Sequence, residues 1–362
     1  MGRQQLLGAE VSYYTGKVRA YLRYKRIDFE ETVASREVYQ QIILPRTGIA
    51  MIPVLISDDD IAVQDSTDII DFLEARYPQP PVYPEGPVQR LVALLLEIYG
   101  DEWLVIPAMH YRWSFTENRA FAIEEFGRLS VPDAEPEAHR EIGEKVARPF
   151  AGALPPLGVS GHTAPGIERS YLAFLKDFEK HLEEHPFLLG TRPSIGDFGL
   201  YGPLYAHLYR DPYSGRLMKK EAPSVAAWVE RMRDPGPDQG DFLAEDHLAE
   251  TLQPILQRMF EEQGPVLADT MQRLAEWARE EHERLPRAIG MHDFSIGGER
   301  GQRAVFPYSI WMWQRAYDHY HTLSGKARER ADALLKAVGG YELINQPIPQ
   351  RVKRENNRLM LA

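Results

Sequence analysis

Several stretches of this chain set ligand-holding residue types at telling spacings. In residues 49–76, the apolar run Ile49-Ala50-Met51-Ile52-Pro53-Val54-Leu55-Ile56 meets the acidic turn Ser57-Asp58-Asp59-Asp60. A second apolar run, Ile61-Ala62-Val63, then leads into Gln64-Asp65-Ser66-Thr67-Asp68-Ile69. Two short apolar runs around such a turn read as a β-hairpin. Ile69, Ile70, Leu73 and Tyr77 recur at helical spacing, and Ser66 suits the N-cap of that helix. Proline has no N–H to give a ladder, so Pro53 belongs at the mouth of a strand, where a cis bond is expected. A helix N-terminus attracts carboxylates. Free backbone beside Pro53 and the polar start of the helix would together hold a small peptide-like anion.

Other strings are weaker. His181-Leu182-Glu183-Glu184-His185 spells a zinc-protease pattern, but Pro186 follows at once and no third ligand is evident, so a solvated helix end is expected. Gly297-Gly298-Glu299-Arg300-Gly301 lacks the lysine of a phosphate-binding loop and reads as a hairpin turn.

The elements needed to position these residues follow from periodicity. Leu6 and Leu7 open a short strand, Ser12 to Gly16 form a turn, and Val18, Tyr21 and Leu22 start a helix. Ile27 to Val33 is a second strand, and Glu37 to Ile43 a short helix ending near Pro45. With the hairpin and its helix this gives a β-α-β-α-β-β-α order. Pro78, Pro80, Pro81, Pro84 and Pro87 then make a stiff linker. Beyond it the pattern is helical: Val88 to Arg112, one or two helices between Ser130 and Pro165, and Glu168 to Glu184 with Tyr171, Phe174, Leu175, Phe178 and Leu182 on one face. Ser194 and Asp197 form a capping box ahead of another helix, and a further helix opens at Pro223. Residues 233–241, rich in Pro, Gly and Asp, read as a boundary. After it, helices are expected at Leu252 to Glu262, Pro265 to Arg284, Tyr308 to Leu323 and Lys326 to Val338, with an aromatic stripe of Trp311, Met312, Trp313, Tyr317 and Tyr320 packing the last part on the helical region. The expected domains are 1–83, 84–241 and a mostly helical extension, 242–362.

The 362 residues allow a real core, and the net charge of −11 argues against a nucleic-acid or anionic-membrane surface. Cysteine is absent, so no disulfide, protein thiolate or cysteine-bound metal is available. No apolar run is long enough to span a bilayer, the N-terminus has no signal-peptide pattern, and a cytoplasmic location is expected.

At this point the chain resembles the glutathione transferase superfamily. Met51-Ile52-Pro53-Val54-Leu55 resembles its cis-proline strand and Gln64-Asp65-Ser66-Thr67-Asp68-Ile69 its acidic-Ser motif. Leu188-Leu189-Gly190 with Ser194-Ile195-Gly196-Asp197-Phe198 resembles its capping-box motif. The resemblance covers about residues 4–235. It implies an α/β thioredoxin-like domain followed by an all-α domain, with glutathione as co-substrate, no metal, and a homodimer. By this resemblance the backbone of Ile52, beside Pro53, pairs with the cysteinyl part of glutathione. Asp65 and Ser66 hold the γ-glutamyl end, Gln64 adds a polar contact, and Lys17 or Arg46 meets the glycyl carboxylate. Ser12 matches the place of the thiol-activating residue, with Tyr14 and Tyr13 as alternates, although Tyr13 departs from the common pattern. A hydrogen bond to a thiolate favours its charged form and lowers its pKa. Tyr111, Trp113 and His110 would line the second substrate's site, which suits a hydrophobic electrophile. The implied activity is conjugation of glutathione to such a molecule, or the related isomerisation, dehalogenation or ether cleavage. Thiol-disulfide chemistry through a protein thiol is excluded. The other reading is a non-catalytic module that keeps the fold and uses residues 242–362 as a protein interface.

Overall fold

The structure, a computed structural model, describes residues 2–235 and 240–362. The N-terminal part runs β1 (Gln4–Gly8), α1 (Tyr13–Tyr24), β2 (Phe29–Val33), α2 (Arg36–Val38), a π turn over Tyr39–Ile43, α3 (Leu44–Thr47), β3 (Val54–Ile56), β4 (Ala62–Gln64) and α4 (Ser66–Arg76). The strands form one mixed sheet in the order β2-β1-β3-β4, with β1 parallel to β2 and antiparallel to β3. This is the thioredoxin-like arrangement expected, with the short helix carried past Pro45 by α3. Leu7, Ile43 and Val54 are fully buried beneath it.

The helical part comprises α5 (Pro87–Ile98), a π segment over Tyr99–Trp103, α6 (Val105–Ser114), α7 (Thr116–Ser130), α8 (Pro136–Ala151), α9 (Ala164–Glu184), α10 (Ile195–Pro203), a second π segment over Leu204–Tyr209, α11 (Pro212–Glu221) and α12 (Pro223–Arg233). The single helix expected from Val88 to Arg112 is thus interrupted by the π segment. The helix over 116–130 escaped the sequence reading because its apolar residues are few. Residues 240–362 add α13 (Gln253–Trp277), the hairpin β5 (Met291–Ile296) and β6 (Glu299–Ala304), α14 (Tyr308–Thr322), α15 (Gly325–Ala337), α16 (Tyr341–Asn345), and the hairpin β7 (Val352–Glu355) and β8 (Arg358–Leu361). Two helices were expected around Pro265; the structure has one that runs through it. Part of the boundary expected at 233–241 lies outside the described residues.

By contacts the chain forms two compact units, each discontinuous in sequence. The first comprises Met1–Val82, Ala108–Ala153 and Phe198–Gln239, and the second Tyr83–Pro107, Leu154–Asp197 and Gly240–Ala362. In the first unit, α7 and α8 approach at backbone distance. A Cβ on Gly127 would lie 1.9 Å from the His139 carbonyl oxygen, and one on Gly143 2.0 Å from that of Ile123. In the second unit, Glu262 of α13 gathers three donors. Its carboxylate accepts from Trp103 Nε1 at 3.2 Å, Ser170 Oγ at 2.7 Å and the Gly297 backbone N–H at 2.9 Å. Asp246 caps α5 by accepting from the backbone N–H groups of Val88 (3.1 Å) and Gln89 (2.8 Å). The expected capping box is present: Ser194 N–H and Oγ both donate to Asp197 Oδ2 at 2.8 Å, while Leu188 N–H donates to Oδ1 at 3.0 Å.

Candidate functional site

The sheet register brings the candidate residues of the first unit to one place. Leu7 pairs with Val54 across the antiparallel β1–β3 ladder, and Val54 pairs with Gln64 across β3–β4. Continuing each strand past those partners puts Ser12 (after β1), Ile52-Pro53 (before β3) and Asp65-Ser66 (after β4) at the same end of the sheet.

The Ile52–Pro53 peptide is cis. Pro53 is buried, and Ile52, half-buried, precedes the first ladder pair. Among the described residues its backbone N–H and C=O make no hydrogen bond. Asp65 adopts φ +94°, a region that costs a non-glycine residue energy and persists only when its surroundings hold it. Its Oδ1 accepts from the Thr67 N–H at 2.9 Å, so Asp65, not Ser66, is the N-cap of α4. This corrects the sequence reading by one residue. Ser66 therefore becomes the first residue of the helix and is 3% exposed. Its hydroxyl and its N–H have no protein partner among the described residues. They join the other early N–H groups of α4, which the helix itself cannot satisfy. Gln64 is buried at the end of β4.

Ser12 is the N-cap of α1, with Oγ accepting from Thr15 N–H at 3.3 Å, and it is half-buried. As an acceptor in the cap its hydroxyl keeps its own proton for another partner. Its turn is tied down from behind. Arg112 Nη1 donates to the Val11 carbonyl at 3.0 Å, while Nε and Nη2 donate to the two oxygens of Asp211 at 2.8 and 2.7 Å. Burial raises the Asp211 carboxyl from its usual range, against the pull of Arg112, and burial together with the Arg112 charge holds His207 well below that of a free histidine. Arg112 and His207 carried no motif; only their burial in the structure finds them. Tyr13 is buried, stacks on half-buried Tyr14 at 3.9 Å, and meets the His207 ring edge-on at 5.9 Å.

Lys17 is fully buried and its Nζ donates to Thr67 Oγ1 at 3.1 Å, which ties α1 to the first turn of α4. Arg46 donates to the Asp60 carbonyl and carboxylate, across the β3–β4 turn. His110, Tyr111 and Trp113 are buried side chains of α6. Tyr111 stacks on Phe115 at 4.9 Å, and Trp113 on Phe126 at 6.0 Å.

The remaining motifs are structural. His181 is buried rather than solvated, contrary to expectation. Its Nδ1 pairs with Thr251 Oγ1 at 2.8 Å and its Nε2 with the Phe187 carbonyl at 3.2 Å, and burial pushes its pKa down to about 4. Gly297 (φ +53°) and Gly298 (φ +86°) form the two-residue turn of the β5–β6 hairpin, as expected, and positive φ at both positions favours glycine. Among the described residues no group of histidines and acids is placed to hold a metal. No described helix is long and apolar enough to cross a membrane.

Residues 6–81 match the model of the glutathione S-transferase N-terminal domain and residues 161–231 that of the C-terminal domain. A curated relative, a stringent starvation protein A homolog from Pasteurella multocida (strain Pm70), is 26% identical over 121 residues, which is 33% of this chain and 56% of that protein, so the match spans little more than half the relative's length. Among solved structures, the beta-etherase LigF from Sphingobium sp. strain SYK-6 is 19% identical with TM-score 0.48, covering 65% of this chain and 96% of that one. A glutathione S-transferase from Rhodospirillum rubrum F11 is 16% identical with TM-score 0.42, covering 68% and 96%.

Proposed function

From a chain that carries both glutathione S-transferase domains and so belongs to that superfamily, we propose that it binds glutathione in its first unit and uses the thiolate against an electrophilic, largely apolar small molecule. The observation that carries the reading is the pairing of unused backbone at Ile52 with an unused hydroxyl and N–H at Ser66, at one end of the sheet. The Ile52 backbone suits the peptide part of glutathione. Ser66 and the N-terminus of α4 suit the γ-glutamyl carboxylate, and the Asp65 side chain suits the ammonium beside it. Ser12 supplies the hydroxyl that donates to sulfur. Donation favours the thiolate over the thiol. The thiolate then forms a bond to the electrophilic carbon, and the leaving group departs with its electron pair.

Lys17 is occupied beneath α4, so its part in this reading is to hold the start of α4 in place rather than to meet the glycyl carboxylate. Tyr14 is the better exposed of the two alternates to Ser12. His110, Tyr111 and Trp113 back the wall of the electrophile's site from within α6.

Calorimetric titration of glutathione into the full chain tests the proposal. Saturable binding is expected at millimolar ligand or below, weakened in Ser66→Ala. In Ser12→Ala the ligand should still bind, but the thiol pKa read from thiolate ultraviolet absorbance should rise. Absence of binding at millimolar glutathione would overturn the enzyme reading in favour of a non-catalytic module.

A further inference from the structure

The turn that carries Ser12 is gripped by a second set of groups besides Arg112. Ser12 N–H donates to the Ala9 carbonyl at 3.0 Å, which closes a β-turn with Glu10 and Val11 at its centre. The Glu10 side chain, 40% exposed, leaves that turn and is bound at both oxygens. Oε1 accepts from the Tyr205 hydroxyl, and Oε2 lies 3.1 Å from Arg19 Nη1 on α1. Arg19 is itself fixed, giving Nε and Nη2 to the two oxygens of Glu31 on β2, each at 2.6 Å. Arg210 adds Nη1 to the Glu10 carbonyl at 3.4 Å.

The π segment over Leu204–Tyr209 forms the other side of this socket. Three consecutive residues of it meet the turn or its supports: Tyr205 binds Glu10, the Ala206 carbonyl accepts from Arg112 Nη2 at 2.5 Å, and the His207 ring meets Tyr13. Tyr205 is 5% exposed and its ring stacks on Tyr201 at 5.0 Å, so its hydroxyl is delivered from a fixed ring. Burial and the Glu10 carboxylate push its pKa up to about 12, so at neutral pH Tyr205 is the donor of a charge-assisted bond. A half-exposed glutamate could leave its carboxylate to water. Immobilising it costs side-chain entropy, and the return is a fixed backbone over residues 9–12. Ile52 and Ser66 take no part in this network.

Resting on the glutathione reading above, we propose that Glu10 is a positioning residue for the thiolate: its carboxylate, seated between Tyr205 and Arg19, fixes the Ala9–Ser12 turn so that the Ser12 hydroxyl donates to sulfur. A hydrogen bond weakens steeply with misalignment, so a turn free to rock leaves glutathione bound and its thiol less acidic. The Glu10 charge acts the other way, because a carboxylate near a thiolate disfavours it. Geometry and charge therefore carry opposite signs when Glu10 is removed.

The thiol pKa of bound glutathione, read from thiolate ultraviolet absorbance on the full chain at saturating ligand, separates them. Glu10→Ala should bind glutathione within about twofold of the unaltered chain and raise the thiol pKa by about half a unit to one unit, part of the rise in Ser12→Ala. Tyr205→Phe keeps the stacked ring and should also raise it. Glu10→Gln retains an oxygen for Tyr205 and should hold the value level or lower it. A fall in Glu10→Ala would leave Glu10 only a charge, and an unmoved value with a lower thermal midpoint would leave it only a fold contact. Either result overturns the proposal while the glutathione reading stands, as does an unmoved thiol pKa in Ser12→Ala. No glutathione binding to the unaltered chain overturns both. If Glu10→Ala does not fold, Glu10→Gln combined with Tyr205→Phe serves: it removes charge and bond together, and a thiol pKa that fails to rise there sinks the role given to Glu10.

Discussion

Asp65 caps α4, and a substitution can separate that job from the binding role proposed for it. Asparagine caps helices about as well as aspartate and tolerates positive φ, so Asp65→Asn should leave the thermal midpoint nearly unchanged while removing the charge proposed to face the ligand's ammonium. Weaker glutathione binding at unchanged stability is the expected outcome; an equal fall in both would return Asp65 to a purely structural role. His181 gives a pH prediction with a definite sign. Its folded pKa is about 4, against an ordinary value of 6.5. Between those values the unfolded chain binds the proton and the folded chain does not, so stability present above pH 6.5 is lost as pH falls toward 4, by about 3 kcal/mol in all. Urea titrations across that window should show a shallower acid-side loss in His181→Gln. Pro53, Asp65 and Ser66 were legible in the sequence because proline and capping residues carry their geometry with them. The one-residue shift of the cap was not, since Asp and Ser are nearly equal at that position and the hairpin's register decides between them.

At the scale of elements, the turn bearing Ser12 depends on a buried ion pair that no local pattern announces. Removing Arg112 alone leaves Asp211 uncompensated and the Val11 carbonyl unmatched. Arg112→Met should therefore cost about 3–5 kcal/mol, and a cycle with Asp211→Leu should recover much of it. Glu262 is a comparable joint in the second unit. Glu262→Gln keeps one acceptor oxygen for three donors and should cost about 1–3 kcal/mol by chemical denaturation. Elements with strong periodicity, such as α9, were readable from the chain alone. The π segments and the passage of α13 through Pro265 were not, because in each case tertiary packing outweighs local preference.

At the scale of the molecule, residues 240–362 are built into a unit that also contains α5 and α9. They supply the Asp246 cap of α5 and the Glu262 clamp on Trp103 and Ser170. A chain ending at residue 235 should therefore lose cooperative unfolding and expose the apolar faces of α5 and α9, read as dye binding and aggregation; a monomeric, cooperatively unfolding fragment would contradict this. The sequence order of the chain suggested successive domains, but which separated segments share a core depends on contacts between distant residues, and one sequence does not display those. The interleaving also bears on synthesis. The first unit has its last described helix, α12, once residue 233 is made, whereas the second lacks α13 and its hairpins until the final stretch emerges. At ordinary ribosomal speeds that interval is roughly 6–25 s. Throughout it α5 and α9 have left the ribosome without their partners, so the nascent chain, more than the finished protein, is the form that needs a chaperone.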